Sequence, residues 1–92
     1  MIRTFKDKEL EKLFQRKYSK CPEKLHKRLR NRLYLMDTAA SKEDLAALPG
    51  GFLEELGGDR QGQFSLRVSG NWRLCLLWDG TNIYDVELID YH

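Results

Sequence analysis

Residues 63–90, QFSLRVSGNWRLCLLWDGTNIYDVELID, decide the fold. Side chains of a strand alternate between the two faces of a sheet, and three runs in this stretch alternate. In residues 63–68, Phe64, Leu66 and Val68 share one face, with Gln63, Ser65 and Arg67 on the other. Trp72, Leu74, Leu76 and Trp78 then read as core-facing, against Arg73, Cys75 and Leu77. In residues 83–89, Tyr84, Val86 and Leu88 lie on one face against Asp85 and Glu87. Ser69-Gly70-Asn71 and Asp79-Gly80-Thr81 separate the runs, and turns this short make antiparallel hairpins. The pattern predicts a three-stranded meander.

Working outward, the chain before the meander reads mainly as helix. Residues 1–5 are extended, in the manner of an edge strand. Asp7 caps a helix through about residue 18, with Leu10, Leu13 and Phe14 on one face. Pro22 suits the first turn of a second helix reaching about Thr38. Its apolar stripe is Leu25, Leu29, Leu33 and Met36, and its other faces carry Lys24, Lys27, Arg28, Arg30 and Arg32. Ser41-x-x-Asp44 opens a third, short helix through about Leu48. Pro49-Gly50-Gly51 stops it. A short strand at 52–56 and a Gly57-Gly58-Asp59 loop lead into the meander. Helices first and strands after them predict an α+β fold, with N-terminal helices packed on one face of an antiparallel sheet, in a single domain over residues 1–92.

Composition fits that reading. A chain of 92 residues buries only about 60–65% of its unfolded surface, which leaves one thin core. The hydrophobic fraction is 41% and the charged fraction 33%, too apolar for a disordered tail. No apolar run approaches the ~20 residues that span a bilayer, and the N-terminus is too polar for a secretory signal. A cytoplasmic protein without a membrane partner is expected. Cys21 and Cys75 stand alone, and the histidines are His26 and His92. That set gives no local zinc spacing, so no metal or other cofactor is expected and both thiols read as small buried groups. The net charge of +2 hides an asymmetry: residues 1–44 carry 13 Lys/Arg and 7 Asp/Glu, residues 45–92 carry 3 and 7. The first part is therefore +6 and the second −4. The whole-chain balance therefore says little about partners, and a basic helical face says more.

Register converts pattern into a candidate site. A slip of one residue would exchange the faces of a strand, so matching the apolar faces sets Val68 opposite Trp72, Leu66 opposite Leu74 and Phe64 opposite Leu76. Arg67 then faces Arg73. The same rule across the second turn sets Leu76 against Tyr84, Leu74 against Val86, and Arg73 against Glu87. Like charges directly opposed on a sheet are destabilising, and a phosphate between the two guanidinium forks would resolve the conflict. Extending the last strand brings Asp90, Tyr91 and His92 beside the first turn. A carboxylate, a phenol and an imidazole there supply proton-transfer groups next to cations. Solvated arginines on an open sheet face and a polar tail are the plainer reading of the same residues.

Taken together, Arg67-Val68-x-x-Asn71-Trp72-Arg73-Leu74, the preceding Gly58-Asp59-Arg60-x-Gly62 and the closing Asp90-Tyr91-His92 resemble the HigB toxins. These are the plasmid-maintenance killer proteins of type II toxin–antitoxin systems, within the RelE superfamily. Met1-Ile2-Arg3-x-Phe5 and Arg32-Leu33-x-x-Met36-Asp37-x-Ala39 fit as well, so the likeness covers essentially the whole chain. Pro49-Gly50 and Trp72-Arg73-Leu74-Cys75 look most like the GraT-like branch. The resemblance implies a compact RelE-like fold and a metal-independent endoribonuclease that cuts translated mRNA on the ribosome. It also implies a HigA-type helix-turn-helix antitoxin as partner, with operator DNA contacted only through that complex. In that frame Arg73 bears transition-state charge with Arg67 in support, and His92 leads proton transfer. Asp90 is a partner base or orients His92, and Tyr91 stacks on a base or joins the proton network. Lys24, Lys27, Arg28 and Arg60 would bind RNA. Some HigB toxins have a histidine and a lysine where this chain has Glu54 and Gly57, which makes Glu54 an alternative base. Two other readings differ in class: a non-catalytic RNA- or ribosome-binding inhibitor, and a corepressor partner of a DNA-binding regulator.

Overall fold

A computed structural model of the chain describes residues 1–47, 50, 53–60 and 62–90. Helices α1 (Lys8–Phe14), α2 (His26–Thr38) and α3 (Lys42–Ala46) precede strands β1 (Glu54–Glu55), β2 (Gln63–Ser69), β3 (Trp72–Trp78) and β4 (Ile83–Asp90). The strands form one antiparallel sheet in the order β1-β2-β3-β4. This is the α+β fold expected from helices followed by a meander.

Local chemistry explains each element. Asp7 caps α1, its carboxylate accepting from the backbone N–H groups of Glu9 and Leu10 at 3.0 and 3.3 Å. The helix stops at Phe14 rather than near residue 18. Arg16 takes φ +61, Arg16 N–H donates to Leu13 O and Lys17 N–H to Lys12 O. That pair of bonds is a Schellman stop, which ordinarily uses glycine at the left-handed position. An arginine there gave no sequence signal for the break. Arg16→Gly is expected to stabilise the fold by about 0.5–1 kcal/mol, because it removes a strained side-chain-bearing residue at an exposed position. Urea unfolding checks this; an unchanged or lower midpoint would show that the left-handed turn costs nothing.

A 3-10 turn at Glu23–Leu25 leads into α2. His26 belongs to this start, with Nε2 2.7 Å from the Cys21 carbonyl oxygen. Ser41 caps α3 by accepting from Asp44 N–H at 3.2 Å, and α3 ends at Ala46. The expected helix end at Leu48 and the beginning of the 52–56 strand at Phe52 lie outside the described residues.

The core sits between the helices and one face of the sheet. Leu10 and Leu13 of α1, Leu29, Leu33 and Met36 of α2, and Leu45 of α3 meet Leu66, Leu74, Leu76, Ile83 and Val86, all essentially without exposure. Trp72 and Trp78, expected in the core, are half-buried at its margin. Cys21 and Cys75 are buried, as their small apolar character led us to expect. Arg32 differs from the expectation that α2 carries its charges outward: it is buried.

Two irregularities alter the expected registers. Arg67 pairs with Arg73, but Ser69 rather than Val68 pairs with Trp72. Val68 is the extra residue of a bulge, and the loop shortens to Gly70-Asn71. In β4, Cys75 pairs with Glu87 and Leu77 with Tyr84, so three steps on β4 match two on β3. The bulge lies at Asp85, which has φ +53. It turns both Ile83 and Val86 into the core and places Tyr84 beside Leu77 on the other face, opposite to the sequence expectation. Beyond the bulge Leu74 faces Leu88, Arg73 faces Ile89 and Trp72 faces Asp90. The expected pairs Leu74–Val86 and Arg73–Glu87 are therefore each displaced by two residues.

The N-terminal segment stabilises this bulge. Ile2 and Phe5 form parallel bridges with Ile83 and Val86, which makes residues 1–5 the outer neighbour of β4. Thr4 Oγ1 donates to Asp85 Oδ1 at 3.0 Å and accepts from Asp85 N–H at 2.8 Å. The extended edge segment expected from the sequence thus supplies the partners that an unpaired bulge residue would lack.

Candidate functional site

On the sheet face away from the helices, β2 and β3 place Arg67 directly opposite Arg73. The two guanidinium groups have different surroundings. Arg67 is exposed. Arg73 lies back along the strands, its Nε–H donating to Ser65 Oγ at 2.9 Å. Its Nη2 is 3.6 Å from Glu54 Oε2, with the Arg73 side chain 14% exposed and the Glu54 side chain 62%. Ser65 has no exposed surface. This face is more closed than a solvated sheet surface, since Ser65 and Cys75, adjacent to Arg73, are both buried.

The register explains the clamp. Glu54 of β1 pairs with Ser65 of β2, so a short edge strand delivers one carboxylate to the strand that carries the serine. Glu54 is accordingly an ion-pair partner of Arg73. Glu87, the expected neutraliser, is directed elsewhere: it sits opposite Cys75 and forms an ion pair with Lys6 at 3.7 Å. An arginine held by a hydroxyl and a carboxylate keeps its fork oriented without ordering a flexible chain at the moment of binding.

Asp90 lies at the same end of the sheet but on the other face. Its cross-strand partner is Trp72, and residues directly opposed share a face. Both line a groove of about 1020 Å³ with Lys24 of the 3-10 turn, Lys27, Arg28 and Asn31 of α2, and the Ser69-Gly70-Asn71 turn. Positions 24, 27, 28 and 31 follow i, i+3, i+4, i+7 spacing, one stripe of a helix. Three of the four expected RNA contacts thus line one wall, facing a half-buried tryptophan. Arg60 closes a 3-10 turn at Gly58–Arg60. Tyr91 and His92 lie outside the described residues.

One residue went unnoticed in the sequence. Arg32, read as a solvated helix charge, borders a second cleft with Arg28, Arg67, Gly50 and the Val68–Gly70 backbone. Its spacing from Arg28 (i, i+4) was the available signal.

Fold and face together define a small α+β domain whose paired arginines suit a phosphate. The chain belongs to the HigB-like toxins, described as RelE-like toxins of type II toxin–antitoxin system HigB, whose family model matches residues 3–92. It is 34% identical over 93 aligned positions, all of both chains, to a protein named Endoribonuclease HigB from Proteus vulgaris. It is 32% identical over 80 residues, 85% of this chain and 84% of the relative, to Toxin HigB-1 of Vibrio cholerae serotype O1. A type II toxin has a cognate antitoxin, so a protein partner follows from the family. Among the described residues, no helix is long and apolar enough to cross a membrane.

Proposed function

We propose that this toxin is an endoribonuclease of one domain that cleaves mRNA on the translating ribosome in the cytoplasm. The observation that carries the reading is the Arg73 guanidinium, fixed by Ser65 and Glu54 directly across from Arg67. The Proteus relative is likewise named an endoribonuclease.

Cleavage in this scheme requires no metal. The 2′-hydroxyl attacks the adjacent phosphorus, the bond to the 5′-oxygen breaks, and negative charge accumulates on the phosphorane oxygens. Arg73 bears that charge, with Arg67 holding the entering phosphate. Preorganised charge of this kind is often the largest contribution to catalysis. The proton leaves the 2′-hydroxyl and another reaches the 5′-oxygen through His92 and Tyr91, a step worth about 10²–10⁴-fold, while Asp90, on the opposite face of the sheet, orients His92. Glu54 orients Arg73, and His92 leads the proton transfer. Lys24, Lys27 and Arg28 hold RNA phosphates along the groove wall, where half-buried Trp72 offers a surface on which a base can stack. Arg60 adds a further RNA contact. A HigA-type helix-turn-helix antitoxin neutralises the toxin and carries it to operator DNA.

Expression without antitoxin is expected to arrest growth, with primer extension revealing cuts within a translated message. The same message without a start codon should remain intact. Arrest with every message uncut would favour the non-catalytic ribosome-binding reading, and no arrest at all would favour the corepressor reading.

A further inference from the structure

The cleft beside β2 is a separate feature of the molecule. Arg28 and Arg32 of α2 and Arg67 of β2 border a space of about 390 Å³, together with Gly50 and the Val68–Gly70 backbone. Arg32 is only 7% exposed, and its Nε is buried with no hydrogen-bond partner among the described residues. No carboxylate of the described residues forms an ion pair with it. Its guanidinium lies against Gly50, where a Cβ would stand 3.6 Å from Nη2. Burial, and then the charge of Arg28, lower its pKa from the ordinary value. Arg28 is held at the cleft by an Nη1 bond of 3.3 Å to Val68 O, the bulged residue of β2.

A buried charge without a partner is costly to a fold, and apolar residues of similar volume usually replace it without loss. A buried donor left unsatisfied calls for an explanation such as a missing ion. Three guanidinium groups around one cleft, one of them buried, favour an anion, and phosphate oxygens match their geometry. Arg67 also belongs to the row opposite Arg73, and Ser69 and Gly70 border both this cleft and the larger groove. One strand of RNA could therefore meet all three surfaces around the same hairpin.

We infer that Arg28, Arg32 and Arg67 form a second phosphate site, which holds the backbone of the substrate RNA one or more nucleotides from the scissile bond. This rests on the ribonuclease reading for its choice of RNA over another anion. Within it Arg28 and Arg32 fix the position of the strand and take no part in bond breaking, and Arg67 joins this site to the row that faces the scissile phosphate.

Two variants test it. Arg32→Met removes the buried charge while keeping the length of the side chain, and Arg28→Gln changes an exposed residue. The probe is a short single-stranded 2′-O-methyl RNA, which has no free 2′-hydroxyl and cannot be cut. Each variant is expected to weaken its binding and to flatten the slope of log K against log[salt] by about 0.7, the value for one lost phosphate contact on a single strand. In cleavage assays of Arg32→Met, KM should rise several-fold with kcat unchanged. Arg32→Met should also unfold at a temperature a few degrees higher than the parent, which separates a binding defect from a folding defect. Parental affinity and salt slope in both variants would overturn the site. So would variants that bind the oligonucleotide normally and lose only the antitoxin, since the cleft would then take a carboxylate. If the parent binds the probe with an Arg32-dependent slope yet cuts no RNA, the phosphate site stands and the ribonuclease reading falls.

Discussion

Arg73→Lys should lower RNA cleavage by about 10²–10³-fold, the usual cost of removing one oriented hydrogen-bond donor from a transition state. Lysine preserves the positive charge but replaces a planar fork of donors with a rotating point charge. The fork matters here because two parts of the guanidinium are already committed. Nε–H donates to Ser65 Oγ, and Nη2 faces Glu54. Those contacts aim the group before substrate arrives, and an ammonium cannot reproduce both while also meeting a phosphate. Single-turnover cleavage measures the loss, and thermal unfolding of the same variant shows whether the fold survives. A rate within threefold of the parent would remove Arg73 from the chemistry. Ser65→Ala provides a graded comparison: it releases one tether and leaves the fork, so a smaller loss than that of Arg73→Lys is expected.

Leu33→Ala should cost about 2–5 kcal/mol, the range for emptying a buried leucine site. Leu33 is fully buried in the α2 stripe, between Leu29 and Met36, which are equally enclosed. A domain of this size has about 5–15 kcal/mol to lose, and each kcal/mol moves the unfolding midpoint by about 4–8 °C. Circular dichroism should therefore show a fall of roughly 10–30 °C. Leu33→Met keeps the volume and should cost less than about 1.5 kcal/mol. A fall of only a few degrees for the alanine variant would mean that α2 is not the main support of the sheet.

Periodicity disclosed the skeleton because most apolar positions could face only one way. The stripe Leu25, Leu29, Leu33, Met36 has a single solution as a helix, and Phe64, Leu66, Leu74 and Leu76 have a single solution as strands. Strict alternation failed where the chain offers apolar residues in both phases. Ile83, Tyr84 and Val86 allow two registers, and the bulge at Asp85 selects the one that buries Ile83 and Val86. Nothing local to β4 signals that choice, because its partner is Thr4, 81 residues away. The Arg67–Arg73 pair was legible because the first hairpin is regular as far as Arg67. The Glu54 contact was not, since β1 is two residues long and too short to show a pattern. Arg32 was misread for a different reason: helix spacing identifies a flank but not what the rest of the chain lays against it.

The pairing of residues 1–5 with β4 also sets an order of events during synthesis. At about 5–20 residues per second, Thr4 leaves the peptidyl-transferase centre some 4–16 s before Asp85, its partner 81 residues later. Through that interval α1 and α2 can form locally, but the edge that fixes the bulge cannot close. Contacts of such wide sequence separation are the slow ones to form. A toxin assembled in this order stays incomplete while most of it is being made.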